Sequence, residues 1–212
     1  MAGGNPVAFL RQSIKDFRNT GALAPSGLFL ARALAKTLPV VIDDNFKVLE
    51  VGPGTGSVTA EISSRMNGKG HLDLWEISPA FCEVLRKRIA QDPKFHHMRS
   101  RVHVHEGDIR QLAPGQHFNT IISGLPFNNF EPEEVRGFLE HFRTLLRPEG
   151  TLVWFEYVAI RKIQSPFVGK ACRKRLEGIG KVTGSFVRAY QYKQQIIPIN
   201  FPPARIRQAK FA

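Results

Sequence analysis

The stretch LEVGPGTGS, from Leu49 to Ser57, decides the fold of this 212-residue chain. Its apolar start continues the predicted strand KVLEV, and the following segment SVTAEISSRM has the pattern of a helix. Gly52, Gly54 and Gly56 form the turn between the two elements. Glycines permit unusual backbone angles and a close approach of a ligand, and free N–H groups at a helix start suit anionic groups. The segment therefore predicts a ligand-binding loop.

The spacing of these glycines separates two kinds of cofactor. A dinucleotide fingerprint, GxGxxG counted from Gly52, requires glycine at position 57, where the chain has Ser57. Glu50 instead stands two residues before a GxGxG turn, which is the form typical of methyltransferases, where the acid faces the methionine portion of S-adenosylmethionine. We therefore expect the following residues to bind S-adenosylmethionine: Glu50, Gly52, Gly54, Thr55 and Gly56.

Short apolar runs alternate with amphipathic stretches, which favours strand–helix units and a largely parallel sheet. The predicted strands are KVLEV (47–51), HLDLWEI (71–77), RVHVHEGD (101–108), FNTIISG (118–124) and GTLVWFEY (150–157), closed by the pair GSFVRAYQY (184–192) and QQIIPINF (194–201). Helices are predicted over 57–66, after Ser78 and over 131–146. This order predicts an α/β fold of the Rossmann-like, class I methyltransferase type. We expect one domain over 1–212, with a mostly parallel seven-stranded sheet and helices on both faces.

Acidic residues end two further predicted strands. Glu76 closes the second strand, about twenty residues after the glycine turn, where an acid can accept hydrogen bonds from both ribose hydroxyls. Asp108 closes the third strand, where its side chain can meet the exocyclic amine of adenine. Ligands of open α/β folds bind at this carboxyl edge of the sheet. The predicted cofactor site therefore also includes Glu76, Ile77, Gly107, Asp108 and Ile109.

The loop SGLPFNNF (123–130) follows the fourth predicted strand and is expected to border the transferable methyl group. Base-modifying amino methyltransferases often carry (N/D)PP(Y/F) here, and rRNA adenine dimethylases carry NLPY, whose first polar residue accepts a hydrogen bond from the target nitrogen. Gly124 occupies that position, which counts against an adenine substrate. We expect cofactor contacts from Ser123, Gly124 and Leu125, and substrate contacts from Pro126 and Phe127.

Positive charge is concentrated near the end of the chain. From position 159 onward there are twelve Lys or Arg residues and one acid, Glu177, so this quarter carries +11 of the net +12. The asymmetry favours an anionic partner, either nucleic acid or an acidic membrane surface, although a basic face kept for solubility is a further interpretation. Residues 160–182 are predicted to form a basic insertion. Residues 1–38 are predicted to form an amphipathic helix and cap, which can lie at a membrane or pack on its own domain.

Other features narrow the cellular setting. Cys82 and Cys172 are too few and too scattered for a disulfide framework, which favours the reducing cytoplasm. No apolar run approaches the roughly 18 residues that a transmembrane helix requires. His103 and His105 share one face of a strand but have no evident third partner, so we expect no metal site.

Almost the whole chain resembles the bacterial phospholipid N-methyltransferases, the short soluble type related to rRNA adenine dimethylases. The resemblance lies in FLRQSIKDFRNTGALAPSGLFLARALA (9–35), VLEVGPGTGSVT (48–59), SGLP (123–126) and NFPPARIRQAKF (200–211). The run PFNNF (126–130) departs from the smaller aliphatic residues that the lipid enzymes commonly have there. The head group is therefore open between phosphatidylethanolamine and a related aminolipid of the ornithine type.

The resemblance implies successive methylation of a lipid primary amine, typically phosphatidylethanolamine towards phosphatidylcholine. We expect a monomer held peripherally on the inner face of the cell membrane. Glu156 and Tyr157, at the end of the fifth strand, are the candidates for orienting the amine or relaying its proton. Phe127, Tyr157 and Tyr190 could offer aromatic faces to a methylated ammonium.

Two other functions are weighed against lipid methylation. An RNA adenine N6-methyltransferase of the dimethylase type is favoured by the basic charge and by the LPF remnant, but Gly124 argues against it. A non-enzymatic membrane-binding module would have lost the cofactor, and the intact set of glycines and acids argues against that.

Overall fold

A computed structural model describes residues 25–115, 118–158, 170–200 and 203–211. The strands are β1 (Lys47–Val51), β2 (His71–Glu76), β3 (Val102–Glu106), β4 (Phe118–Ser123), β5 (Leu146–Tyr157), β6 (Gln191–Ile197) and β7 (Ala204–Lys210). The α-helices are α1 (Pro25–Ala35), α2 (Ser57–Met66), α3 (Pro79–Gln91), α4 (Pro132–Leu145) and α5 (Lys170–Tyr190). Short 3₁₀ turns include Ile109–Gln111 and Phe127–Asn129.

The seven strands form one sheet in the order β3-β2-β1-β4-β5-β7-β6. The first five strands in this order are parallel, and β7 runs antiparallel to both β5 and β6. Val51 pairs with Trp75 on one side and with Ser123 on the other, so β1, β2 and β4 end side by side. The predicted mostly parallel, seven-stranded Rossmann-like sheet is confirmed.

Helices cover both faces of this sheet. On one face, α1, α2 and α3 bury apolar side chains against the strands, including Leu34, Ile62, Leu85, Val48 and Leu74. On the other face, α4 and α5 bury a second set, including Phe142, Ile179, Leu49, Ile121 and Trp154. Because β1 lies at the centre and contributes alternate side chains to both cores, its carboxyl end is held rigidly.

The helix starts follow local signals in the sequence. β1 and α2 occupy the predicted residues 47–51 and 57–66. The Ser78 side chain accepts a hydrogen bond from the Phe81 N–H at 3.4 Å, with Pro79 at the first helical position of α3. A capping box between Glu131 and Glu134 starts α4.

The prediction of a strand over GSFVRAYQY (184–192) is wrong. Residues 184–190 continue the 21-residue helix α5, which also includes the described part of the predicted basic insertion. Ile179, Phe186 and Tyr190 recur at helical spacing and face the core. Tight packing explains why residue 178 is a glycine, because a Cβ atom there would lie 2.6 Å from Cγ of Pro132. The glycine lets α5 approach the start of α4 closely.

The last strand also differs from the prediction. QQIIPINF (194–201) contributes only its first four residues to β6, and the closing strand is β7, ARIRQAK. Ala204 and Ile206 are buried in one core, while Arg205 and Arg207 alternate with them and face the other side. This period of two is typical of a half-buried strand.

The predicted helical stripe of Val7, Leu10, Ile14 and Phe17 lies outside the described residues. Across the four described ranges, no helix is long and apolar enough to cross a membrane.

Candidate active site

Backbone hydrogen bonds bring together the loops that follow the first four strands. Three bonds of 2.8 to 2.9 Å connect them: Gly52 N–H to Trp75 O, Gly107 N–H to Glu76 O, and Gly124 N–H to Val51 O. The predicted glycine turn, both predicted strand-end acids and the β4 loop therefore meet at the carboxyl edge of the sheet. This is the edge at which open α/β folds bind ligands.

The glycine turn adopts a conformation that glycine alone adopts easily. Gly52 and Gly56 have φ angles of +69° and +80°, in the left-handed region. A Cβ atom on Gly56 would also lie 2.8 Å from Cδ2 of Leu85. The carbonyl of Thr55 accepts a hydrogen bond from Nη1 of Arg88 at 2.9 Å, which holds the turn against α3. Arg88 could not be predicted from the sequence, because no local pattern marks its role.

Glu76 is nearly enclosed, with 4% of its surface exposed. Its Oε2 accepts a hydrogen bond from the Gly54 N–H at 3.0 Å, and its Oε1 accepts one from the Ser78 N–H at 2.9 Å. Burial raises the pKa of Glu76, although these hydrogen bonds partly oppose the rise. Each carboxylate oxygen keeps a further lone pair, so Glu76 can still accept hydrogen bonds from two ribose hydroxyls.

Glu50 lies beneath the glycine turn and is 2% exposed. Its Oε2 is buried without a hydrogen-bond partner among the described residues. Burial raises the pKa of Glu50 to about 8, and the neighbouring Glu76 carboxyl adds to the rise while Thr59 opposes it. An unpartnered buried acceptor is costly unless a ligand completes it. A cationic ligand group would satisfy this oxygen and favour its ionised form.

Asp108 ends the loop after β3 and caps the turn Ile109–Gln111. It accepts a hydrogen bond from the Arg110 N–H at 3.0 Å and forms an ion pair with the Arg110 guanidinium. Burial opposes ionisation of Asp108, but these contacts outweigh it, so its pKa is lowered. A carboxylate has lone pairs for a further donor, such as the predicted adenine amine.

Two residues beside these acids have different surroundings. Ile77 is 38% exposed at the sheet edge, where an adenine-type ring can contact it. Ile109 is 4% exposed, with its side chain in the core beneath α4. Only the backbone of Ile109 is therefore available to a ligand at this edge.

The β4 loop packs tightly against the glycine turn. A Cβ atom on Gly124 would come within 2.7 Å of the carbonyl oxygen of Gly52, so no side chain fits there without a backbone shift. The Ser123 hydroxyl is buried and accepts a hydrogen bond from the Leu125 N–H at 3.3 Å. Leu125 lies over Gly52. The residue position that supplies a polar acceptor in NLPY loops therefore forms part of the cofactor cradle here.

The two predicted substrate contacts in this loop differ in their exposure to solvent. Pro126 is exposed, as a substrate contact must be. Phe127 is 6% exposed, and its ring packs in the core with α4 and not at the exposed side of the loop. Aromatic residues in loops are buried or exposed according to tertiary contacts that the local sequence does not reveal.

The end of β5 carries both predicted acceptor-side residues. Glu156 Oε2 forms an ion pair with Nε of Arg207 at 3.2 Å, and its Oε1 accepts a hydrogen bond from Nε1 of Trp154 at 3.4 Å. Tyr157 stacks edge-on with Phe155, with ring centroids 5.4 Å apart, and burial raises its pKa. Glu156 thus contacts Arg207 and Trp154 through its carboxylate, whereas the Tyr157 phenol is neutral at physiological pH.

Tyr190 is not brought into this site. Its ring lies 4.8 Å from that of Phe211, which follows the end of β7 beside Gly150, at the opposite edge of the sheet. Helix α5 carries Tyr190 away from the carboxyl edge, so the structure does not bring it together with the other predicted site residues.

Comparisons with known proteins agree with this geometry. A family model described as a methyltransferase domain matches residues 48–150. The ornithine lipid N-methyltransferase of Singulisphaera acidiphila is 30% identical over 149 residues, covering 68% of this chain and 73% of that protein. The chain belongs to the S-adenosylmethionine-dependent methyltransferases.

Further comparisons give one more similar sequence and two solved structures of similar fold. The ribosomal RNA small subunit methyltransferase A of a Synechococcus strain is 34% identical over 106 residues, which are 49% of this chain and 34% of that protein. The glycopeptide N-methyltransferase MtfA in complex with S-adenosylmethionine superposes with a TM-score of 0.67 at 18% identity, covering 88% of this chain and 94% of MtfA. An O-methyltransferase of Bacillus cereus in complex with SAH superposes with a TM-score of 0.64 at 14% identity, covering 99% and 93%.

The residues of this methyltransferase fit S-adenosylmethionine. Gly52 and Gly124 leave room where side chains would block the edge, and Glu50 presents an unpartnered buried oxygen. Glu76 and Asp108 stand at neighbouring strand ends with spare acceptor capacity. The predicted cofactor is therefore confirmed.

Proposed function

We propose that this methyltransferase transfers methyl groups to the primary amine of a membrane lipid, either phosphatidylethanolamine or an aminolipid of the ornithine type. The observation that carries the proposal is its 30% identity to an ornithine lipid N-methyltransferase across most of both chains. The similarity to the ribosomal RNA enzyme covers only about a third of that protein. The packing of Gly124 against Gly52 also leaves no room for the polar acceptor of the NLPY loop.

The charge of α5 supports a location at an anionic membrane. Its outward side carries the exposed basic residues Arg173, Lys174, Lys181 and Arg188, with Glu177 as the one acid on that stripe. Each Lys or Arg near an anionic bilayer contributes about 1 kcal/mol of attraction. We infer a monomer that binds the inner face of the cell membrane peripherally and reversibly.

The reaction places specific demands on this chain. Bound S-adenosylmethionine supplies an electrophilic methyl group on a sulfonium. Glu50, the glycine turn, Glu76 and Asp108 would hold it, and Gly124 and Leu125 would border the methyl group. An amine nitrogen would attack such a methyl directly, forming an N–C bond as the S–C bond breaks and the sulfur leaves as a neutral thioether, so proximity and alignment provide much of the rate.

The acceptor amine must lose a proton before it attacks, because an ammonium has no lone pair. A lysine-like amine has a pKa of about 10.4, and a nearby positive charge lowers it. Tyr157 suits the role of orienting the amine, since its neutral phenol can accept a hydrogen bond from an N–H group. Glu156 acts as a positioning residue that holds Arg207.

Lipid analysis of a suitable host tests this function. The full chain is expressed in bacteria that contain phosphatidylethanolamine and ornithine lipid but no N-methylated lipid, with Glu76→Ala as the inactive comparison. N-methylated forms of one of these lipids should appear with the wild-type chain and not with the variant. Unmodified lipids in cells that contain folded, cofactor-binding protein would overturn the proposal.

A further inference from the structure

Arg205 occupies a distinctive place at the end of β7. It lies opposite Glu156 in the β5–β7 register, and Ala204, one residue closer to the carboxyl edge, lies opposite Tyr157. Opposite residues of antiparallel strands share a face of the sheet. Arg205 is therefore on the same face as Glu156, beside the predicted acceptor site.

Glu156 does not neutralise Arg205. The two oxygens of Glu156 contact Arg207 and Trp154, and among the described residues Glu156 forms no ion pair with Arg205. Arg207 is further held by Gln191, whose Oε1 accepts a hydrogen bond from Nη1 at 2.6 Å. The trio of Arg205, Glu156 and Arg207 thus carries one net positive charge.

The Nε atom of Arg205 has no hydrogen-bond partner within the described part of the chain. This atom is buried, and the side chain as a whole is half-buried. A buried charged donor without an acceptor costs free energy, which an anion would recover. Arginine presents several N–H donors in a planar fork that matches the oxygens of a phosphate or carboxylate.

The position of Arg205 suits a ligand that spans from the methyl group to the edge of the sheet. Ser123 pairs with Trp154, and Trp154 pairs with Arg207, so these three residues line up across β4, β5 and β7. With strands roughly 4.8 Å apart and about 3.3 Å per residue, the backbone of Arg205 lies on the order of 12 Å from that of Ser123. An arginine side chain and a short head group together bridge this distance.

We propose that Arg205 is a specificity residue that binds the anionic group of the acceptor lipid's head, holding its amine beside the β4 loop. The inference rests on the proposed function. Phosphatidylethanolamine and ornithine lipid share the required chemistry: a primary amine separated by a few bonds from a phosphate or a carboxylate. Arg205 would engage either oxyanion and leave the amine free to react.

Steady-state methylation of three lipids by the purified full chain tests this role. The vesicles contain phosphatidylethanolamine, ornithine lipid or a long-chain alkylamine that has no anionic group, each in a neutral lipid. Arg205→Gln is compared with Arg205→Lys and with Lys193→Gln, which removes one charge from an exposed position on β6. Calorimetric affinity for S-adenosylmethionine and the thermal midpoint establish that each variant is folded.

A charge-assisted hydrogen bond of about 1.5–3 kcal/mol corresponds to roughly 10- to 100-fold. Arg205→Gln should raise KM for the preferred zwitterionic lipid by that factor. It should leave the alkylamine reaction and cofactor affinity unchanged, with partial recovery in Arg205→Lys and no effect of Lys193→Gln. Equal KM values for Arg205→Gln and wild type, or an equal loss on the alkylamine, would overturn the inference while lipid methylation stands. Absence of methylation of every amine by the wild-type chain would overturn the proposed function itself.

Discussion

A Cβ atom on Gly124 would come within 2.7 Å of the carbonyl oxygen of Gly52, so the loops after β4 and β1 meet backbone to backbone. The same contact is reinforced by the hydrogen bond from the Gly124 N–H to Val51 O at 2.8 Å. The cofactor cradle therefore depends on the absence of a side chain at position 124.

Gly124→Ala should separate these loops and weaken binding of S-adenosylmethionine. Overpacking of a tight site costs about 1–3 kcal/mol, which corresponds to roughly 5- to 160-fold in the dissociation constant. Calorimetric titration measures this change. Gly137→Ala is the matched control, because nothing lies within 4 Å of a Cβ atom at that helical position. The control should retain affinity and gain about 0.5–1 kcal/mol of stability.

Glu50→Gln should change how stability depends on pH. Burial raises the pKa of Glu50 to about 8 in the folded chain, from the 4.5 of an unperturbed glutamate. Between these values the folded state keeps a proton that the unfolded state releases, so the free energy of unfolding falls as pH rises. This loss amounts to at most about 1.4 kcal/mol per pH unit for one group.

Glutamine cannot ionise, so the Glu50→Gln chain should become more stable relative to wild type as pH increases from about 5 to about 8. Urea denaturation at several pH values measures the difference. The Glu50→Gln chain should also bind S-adenosylmethionine more weakly, since it lacks the negative charge that suits a cationic ligand. A constant stability difference across this pH range would show that Glu50 is ionised throughout.

Glu156→Gln should lower stability more than it alters the chemistry. Its carboxylate is held by Arg207 and Trp154, so replacement weakens these contacts by about 1–3 kcal/mol. The thermal midpoint should fall, while the pH profile of kcat with a lipid amine keeps its shape. Loss of the limb on which activity rises with pH would instead identify Glu156 as the base that removes the amine proton.

Tyr157→Phe removes the phenol at the end of β5 without removing its ring contact with Phe155. Loss of a neutral hydrogen bond of about 0.5–1.5 kcal/mol predicts a roughly 2- to 13-fold fall in kcat/KM for the lipid. The pH profile should stay the same, because burial raises the pKa of Tyr157 and keeps the phenol neutral. Unaltered kcat/KM would remove Tyr157 from the acceptor site.

Local signals in the sequence predicted the strands and helices that carry the cofactor side of this site. Ser57 begins α2 and Ser78 caps α3 as expected, because glycine, serine and proline restrict the backbone locally. The same residue types, which follow the first two strands, also predicted that Glu50 and Glu76 lie near strand ends. Parallel pairing then brought these ends together, which the alternation of strands and helices already implied.

The arrangement of residues on the acceptor side depends on tertiary contacts, which local sequence patterns do not reveal. The run GSFVRAYQY (184–192) was predicted to be a strand, yet the spacing of Ile179 and Phe186 and the contact of Gly178 with Pro132 stabilise a helix. That error placed Tyr190 at the wrong edge of the sheet. The importance of Arg205 follows only from its pairing opposite Glu156, which requires the register of β5 and β7.

The most direct measurement is transfer of a labelled methyl group from S-adenosylmethionine by the purified chain. Vesicles containing phosphatidylethanolamine or ornithine lipid and a structured RNA are offered in parallel, with Glu76→Ala as the control. We predict label in one amine lipid, none in RNA, and none with the control. Label in RNA alone would contradict lipid methylation and indicate that the β4 loop acts as it does in the adenine dimethylases.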